Sequence, residues 1–493
     1  MKSTLIEGMP RLIQAGMGIH ISSARLANAT SRLGALGVVS GAALRHIVLE
    51  DIRANDEEAI SLAKLFPIAR YVEEALAYIP GGKKHRHAIP VDSPDPRHNA
   101  LPRRLSAIAA FVEVMRAKRG HRGKIGINVM WKCSLTALPS IYGAMLAGVD
   151  ALLCGAGVPM ELPDIVAKIR AGQNMEYLPL TGTGTNVRLD IDEDAKEVHH
   201  IWDSLKPPKL LPILSNFAFS KRILETWQKK YQTSPFAFVL ENHAAGGHNA
   251  PPRNKSTFSD EDNIETYFEK VLSLGVPVYI AGAFANGGTR DEFETWTARG
   301  AYGMQVGSRF ALCEESGMRE DLRKQILEKN NKGGVDIETD HQASPTGYPI
   351  KIAQLPGTIS DKALWLARQR VCNKKYLVRS HFQEQPDGTT KETYICPAMS
   401  PEEYARLGGD PAETEGKVCL CNGLLSTAGY YQDIENASVT LGMSGQHITR
   451  NYSAREIVED VLTPEYVAEK EKELAEEIPA AHGEERSLVG AIS

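Results

Sequence analysis

Cysteine is sparse in this chain, with seven residues in 493. That is too few for a disulfide-dense secreted scaffold, and an odd number leaves at least one thiol unpaired unless a metal intervenes. A basic excess is missing as well: the formal net charge is −5, which argues against a dedicated nucleic-acid binder. The start, MKSTLIEGMPRLIQAG, is broken by Glu7, Pro10 and Arg11 before any apolar stretch develops, so it lacks the form of a signal peptide. The most apolar long stretch, residues 135–160, contains Pro139, Asp150 and several glycines. It reads as helix, turn and buried strand, not as a membrane span. Neither a P-loop nor a well-placed G-x-G-x-x-G occurs, so nothing supports a Rossmann-type dinucleotide site. These absences lead us to expect a soluble, cytoplasmic protein with no nucleic-acid and no membrane partner.

What is there is a large apolar share, 42% against 24% charged, enough for a sizeable core. Glycines cluster in runs such as 246–247, 287–288 and 333–334. Over the first 330 residues, short apolar runs alternate with amphipathic stretches. The runs are RLIQAG (11–16), LGVVSG (36–41), KIGINVM (124–130), VDALLCG (149–155), LLPILSN (210–216), FAFVLEN (236–242), PVYIAG (277–282) and YGMQVGS (302–308). Each shows little polar alternation, as a strand buried on both faces should. Helical patterns separate them, for example 259–275 with Ser259 as cap and Gly275 past the end, and 220–231 behind Ser220. Eight such strands predict an α/β fold, a (β/α)8 TIM barrel over residues 1–335, with a doubly wound sheet as the competing architecture. Residues 336–493 form a C-terminal extension with four of the seven cysteines and a charged helical tail around 464–478, expected as an exposed helix or a contact to another subunit. Residues 80–124 carry eleven Lys/Arg against three acids. This is either a basic patch for an acidic partner or phosphorylated cofactor, or a solvated loop and helix face.

In such a barrel the chemistry lies just after the strands. Those positions here are QAGMG after the first, Asn128 in the third, ENHAAGGHNAPPR after the sixth, AGAFANGG after the seventh and QVGSRF after the eighth. Glycine at the last two ends suits a phosphate held by backbone N–H groups, because no Cβ blocks the approach. Gly282, Gly287 and Gly288 on one side and Gly307 and Ser308 on the other are the expected cradle, against a reading as ordinary turns. His248 is the candidate acid/base, since imidazole titrates near neutrality, with His243 as its rival. The tail cysteines Cys372, Cys396, Cys419 and Cys421 could hold zinc or an iron–sulfur cluster; the alternative is four buried free thiols. Cys133, Cys154 and Cys313 read as core residues.

The run from IQAGMG through AGGH to AGAFANGG and GMQVGSRF resembles the flavin-dependent nitronate monooxygenase superfamily (2-nitropropane dioxygenases), FMN-binding (β/α)8 barrels that include enoyl-thioester reductases. The likeness is closer to the PfaD-type branch, trans-acting enoyl reductases. It extends into SPTGYPIKIAQLPGT (344–358), RVC (370–372), YICP (394–397), LGGDPAET (407–414) and CLCNGLLSTAGY (419–430), covering residues 10 to 435. The resemblance implies that Met17 packs near the flavin ring, that Asn128 and Asn242 contact it, and that Gly247, Gly282 and Gln305, Val306, Gly307 and Ser308 bind its phosphate and ribityl groups. His248 becomes the catalytic histidine. Simple nitronate oxidases read AGGHxG, whereas Ala250, Pro251 and Pro252 follow here, a departure just beyond His248. The function implied is FMN-dependent reduction of an enoyl thioester by NAD(P)H. Alternatives are oxidation of a nitronate with oxygen, a lyase or isomerase acting on a phosphorylated substrate, and a non-catalytic flavin- or metal-binding subunit. An acyl carrier or synthase is the expected partner, and a homo-oligomer the expected assembly.

Overall fold

In the computed structural model, the described residues are 8–475, apart from 82–84, 87, 92–99, 178–186, 203, 254–256 and 386. Lys83, Lys84 and Arg97 of the basic stretch, and the tail beyond 475, therefore lie outside them. Eight strands fall on the eight apolar runs: β1 (Leu12–Gln14), β2 (Gly37–Ser40), β3 (Ile125–Met130), β4 (Ala151–Gly155), β5 (Lys209–Leu214), β6 (Phe238–Glu241), β7 (Val278–Ala281) and β8 (Gly303–Val306). They pair in parallel in the order β1-β8-β7-β6-β5-β4-β3-β2. A bridge between Ile13 and Leu36 joins the two ends, with Gln14 N–H donating to Leu36 O and Leu36 N–H to Leu12 O. The sheet is a closed (β/α)8 barrel.

Period-two alternation sorts each strand into an inner and an outer face. Ile13, Val38, Leu153, Leu211, Val239 and Tyr279 fill the barrel interior as one cluster. Their neighbours Leu12, Val39, Leu152, Leu240 and Ile280 belong to the larger core beneath the helices. Tyr279 and Tyr302 donate to the carbonyls of Pro10 and Met9, which closes the end of the barrel opposite the strand C-termini.

Seven helices follow the first seven strands: α1 (Ala24–Ser31), α2 (Ala100–Lys118), α3 (Ser134–Leu146), α4 (Leu162–Arg170), α5 (Phe217–Thr226), α6 (Phe268–Leu272) and α7 (Arg290–Ala298). The helix expected behind Ser220 starts earlier, because Asn216 caps it by accepting from Phe219 N–H. The helix expected over 259–275 is broken. Ser259 and Asp262 close a capping box on a single 3-10 turn, and Asn263 then turns extended before the chain re-enters helix. Within the basic stretch, residues 100–118 form α2, a wall of the barrel. α2 buries Leu105, Ile108, Phe111 and Val112, and its cations meet acids: Arg104 pairs with Glu74, and Arg116 with Asp51 and Glu113. Arg104 and Arg116 are thus neutralised within the wall.

The eighth wall helix comes late. Between β8 and it stand residues 307–453, and only then does α8 (Ala454–Leu462) pack against α1, α7 and β1. It buries Ala454, Ile457, Val458 and Val461. The charged helix that follows, α9 (Pro464–Leu474), is anchored to its own barrel along one side and is otherwise exposed, as expected for an exposed helix. Val467 is fully buried, Tyr466 donates to Gly34 O and Arg122 to Glu473 O.

The intervening segment caps the barrel mouth. Its strands Ile337–Asp340 and Ile350–Ala353 pair antiparallel, and the short strand Gly247–His248 adds to the second of them. The four tail cysteines share an apolar cluster with Val378, Ile395, Met399 and Tyr404, and Cys372 hydrogen-bonds Cys396. Burial pushes the Cys419 thiol up to about 12. Their chemistry would suit a soft metal, but among the described residues no group of three or more Cys, His, Asp or Glu is arranged to hold one. Cys154 and Cys313 are buried core thiols as expected; Cys133 is half-buried near the mouth, its thiol on Met130. Among the described residues no helix is long and apolar enough to cross a membrane.

Candidate active site

One cavity opens at the C-terminal ends of the strands, under the cap. Met17, Asn128, Gly247, His248, Gly282, Gln305, Gly307 and Ser308 all line it. Asn242 and Val306 do not. Strand parity explains the division. Gln305 and Glu241 continue the inward-facing row, while Val306 and Asn242 fall on the other side of the chain. Val306 is buried in the core beneath the helices. Asn242 accepts from Ala244 N–H, so it shapes the loop without reaching the cavity.

The loops around the cavity interlock by backbone contact. Gly282 has a φ of +74°, and a Cβ there would come within 2.7 Å of the Ala245 Cβ. A Cβ on Gly246 would lie 2.6 Å from Gly442 N. Gly442 N–H in turn donates to Ser308 Oγ at 2.9 Å. The loop before His248, the end of β7, the end of β8 and the cap thus meet without room for side chains. The phosphate cradle expected at both strand ends is narrower than the glycine pattern suggests. Gly288 N–H already donates to the Glu292 carboxylate at 2.8 Å, and Gly288 does not line the cavity, whereas Gly287 does. Asn128 is fixed by donation from Nδ2 to Gly16 O.

His248 sits on the short strand paired to Ile350. Its Nε2 lies 2.7 Å from Ser344 Oγ and 3.4 Å from Thr346 Oγ1, both hydroxyls coming from the cap. Burial, helped by the charge of Lys132, drives its pKa down to about 3. At neutral pH the ring is uncharged: it can donate or accept one hydrogen bond, but it is a poor reservoir for a proton. That alters the acid/base role expected from the ordinary imidazole value. The rival His243 stacks on Phe258, with centroids 4.5 Å apart, and does not line the cavity. Beyond His248, Asn249 N–H donates to Pro349 O of the cap and its Nδ2 to Ala245 O of the loop before His248.

Glu241 has no place among the sequence-predicted site residues, and Gln305 has a property the sequence does not show. Glu241 ends β6 on the cavity wall, and its surface is accessible only partly, through that cavity. Desolvation pushes its carboxyl from 4.5 up to about 7. The inward parity of β6 was the signal that could have found it. Gln305 was named, but not for the property it shows: its Oε1 is buried without a hydrogen-bond partner, a standing demand for a donor. The cap also supplies Ile350, Leu424, Thr440, Leu441, Gly442 and Ser444 to the lining. Nothing in strand-end reasoning points to them.

A closed parallel barrel with its polar cavity at the strand C-termini defines the class of (β/α)8 enzymes. Residues 212–348, from β5 through His248 into the cap, match the family model for nitronate monooxygenase. No curated protein matches the chain. Among solved structures it is similar to FabK from Thermotoga maritima, at 16% identity over 95% of this chain and 96% of that one, with a TM-score of 0.48. A nitroalkane oxidase from Streptomyces ansochromogenes follows at 13%, covering 94% and 97%, TM-score 0.46. The enoyl reductase domain of MlnA from the macrolactin cluster of Bacillus amyloliquefaciens stands at 11%, covering 94% and 95%, TM-score 0.45.

Proposed function

We propose that this chain is an FMN-dependent oxidoreductase that reduces an enoyl thioester at the expense of NAD(P)H, with the thioester delivered on an acyl carrier or synthase. The observation that carries the reading is convergence. Eight of the ten residues assigned by resemblance to flavin and catalysis line a single cavity. Its chemistry suits FMN. Gln305 Oε1 asks for the kind of N–H that a flavin ring offers. Gly247, with no heavy atom within 4 Å of a Cβ position, leaves that stretch of wall open. Met17 would pack on the ring, and Ser308 and Gly307 would face the phosphate end.

FMN would supply the hydride chemistry; the protein supplies orientation and proton control. His248, neutral and held by Ser344, would hydrogen-bond the thioester carbonyl as an uncharged electrophile. Glu241, titrating near neutrality, would hold a proton on its carboxyl inside the cavity. The tail thiols enter no step. A second reading, oxidation of an alkyl nitronate with oxygen, is favoured by the family match over 212–348.

The test compares anaerobic NAD(P)H oxidation with crotonyl thioester against oxygen uptake with propane-2-nitronate, in wild type and His248→Ala. Thioester-dependent oxidation that drops by about a hundredfold in the variant supports the proposal. Oxygen uptake alone selects the second reading, and failure to retain FMN after reconstitution refutes both.

A further inference from the structure

Lys132 lies beside the cavity, outside its lining residues, with no part in the scheme above. It follows the end of β3 by two residues, and Tyr348 precedes the strand Ile350–Ala353 by two. Met130 and Ile350, on the same two segments, line the cavity. Just beside it the two side chains meet, with Lys132 Nζ 3.0 Å from the centroid of the Tyr348 ring. His248 is near enough to feel the ammonium charge.

Among the described residues, no carboxylate pairs with this amine. The titratable groups that face it are His248 and Cys133, a neutral imidazole and a thiol, and neither neutralises an ammonium. An aromatic face holds a cation weakly, about 0.5–2 kcal/mol, and Tyr348 is itself exposed. Burial lowers the amine to about 7, so an anion arriving there would restore its charge. An amine stripped of water beside a reaction cavity, with only a ring for company, has no negative partner of its own to hold its charge.

We propose that Lys132 is a substrate-binding residue whose amine exchanges the Tyr348 face for a substrate oxygen bearing negative charge beside His248. For the thioester this is the oxygen that becomes an enolate. The inference rests on the enoyl-thioester reading for the identity of the substrate, and extends to a nitronate oxygen under the second reading.

The test uses acetoacetyl-N-acetylcysteamine, a phosphate-free thioester whose enolate is read in the near ultraviolet. Its saturated butyryl counterpart serves as the neutral control. Wild type should bind the first probe as enolate, and Lys132→Met should weaken that binding by about tenfold or more. Lys132→Arg should keep it within a few fold, Tyr348→Leu should keep it, and butyryl binding should be alike in all. Equal enolate binding in Lys132→Met overturns the proposal. So does a parallel loss of both probes, or a loss in Tyr348→Leu that matches Lys132→Met, since each marks a merely structural clamp. If wild type binds neither thioester, propane-2-nitronate replaces them. Lys132-dependent binding of the nitronate keeps the proposal and removes the enoyl reading; its absence removes the proposal.

Discussion

Replacing Glu241 by Gln should stabilise the folded protein above neutrality and change little in mild acid. The side chain ends β6 inside the cavity, and burial lifts its carboxyl from 4.5 to about 7. Between those values the unfolded chain has lost the proton while the folded chain still holds it. Stability therefore falls as pH rises through that window, and levels off above about 7. The full difference corresponds to about 3 kcal/mol. Because water reaches the carboxyl through the cavity, about 1–3 kcal/mol is the realistic span. An amide of the same shape has no such dependence, and any constant packing cost of the amide does not vary with pH. Urea midpoints for wild type and Glu241→Gln, measured from about pH 4 to about pH 8 without cofactor, should diverge in favour of the variant as pH rises. A gap that stays flat, or one that closes with rising pH, would refute the placement of an uncompensated carboxyl there.

Gly246→Ala should cost about 1–3 kcal/mol, because its Cβ would lie 2.6 Å from the backbone nitrogen of Gly442. A thermal midpoint within a degree of wild type would show that the loop and cap are not interlocked as described. Glu435→Gln should cost about 3 kcal/mol, since it strips the carboxylate from Arg368, 2.8 Å away with both side chains at least nine-tenths buried. Denaturant midpoints check this, and a loss below about 0.5 kcal/mol would mean that the guanidinium finds another acceptor.

The barrel was legible because its strands are buried on both faces and so appear as unbroken apolar runs. Parity within those runs was legible too, but the reading ranked residue types and motif positions above it. Val306 and Asn242 thus stand among the expected flavin contacts although neither lines the cavity, whereas Glu241, which does, has no role in that expectation. Helix interiors were less readable than strands. The Ser259 cap is real, yet it closes on one turn because Asn263 breaks the run. His248 illustrates a different limit. Its position followed from the motif, but its charge state depends on burial and on Lys132 and Ser344, groups more than 90 residues distant in the chain. The pairing of the basic residues of α2 with Asp51, Glu74 and Glu113 is likewise three-dimensional, invisible to a count of charges.

The place of α8 carries a practical consequence. Because the cap is threaded between β8 and the stave that completes the wall, the two halves of the chain do not separate at the point where the pattern of strands ends. A fragment stopped near residue 335 would expose the flank of α1 and α7 that Ile457, Val458 and Val461 now cover, and would lose the strand that holds His248. Solubility and site geometry would fail together. The cap is better regarded as a long loop of the barrel than as a module appended to it, and it would have to be shortened from within, with α8 retained, to obtain a minimal catalytic unit.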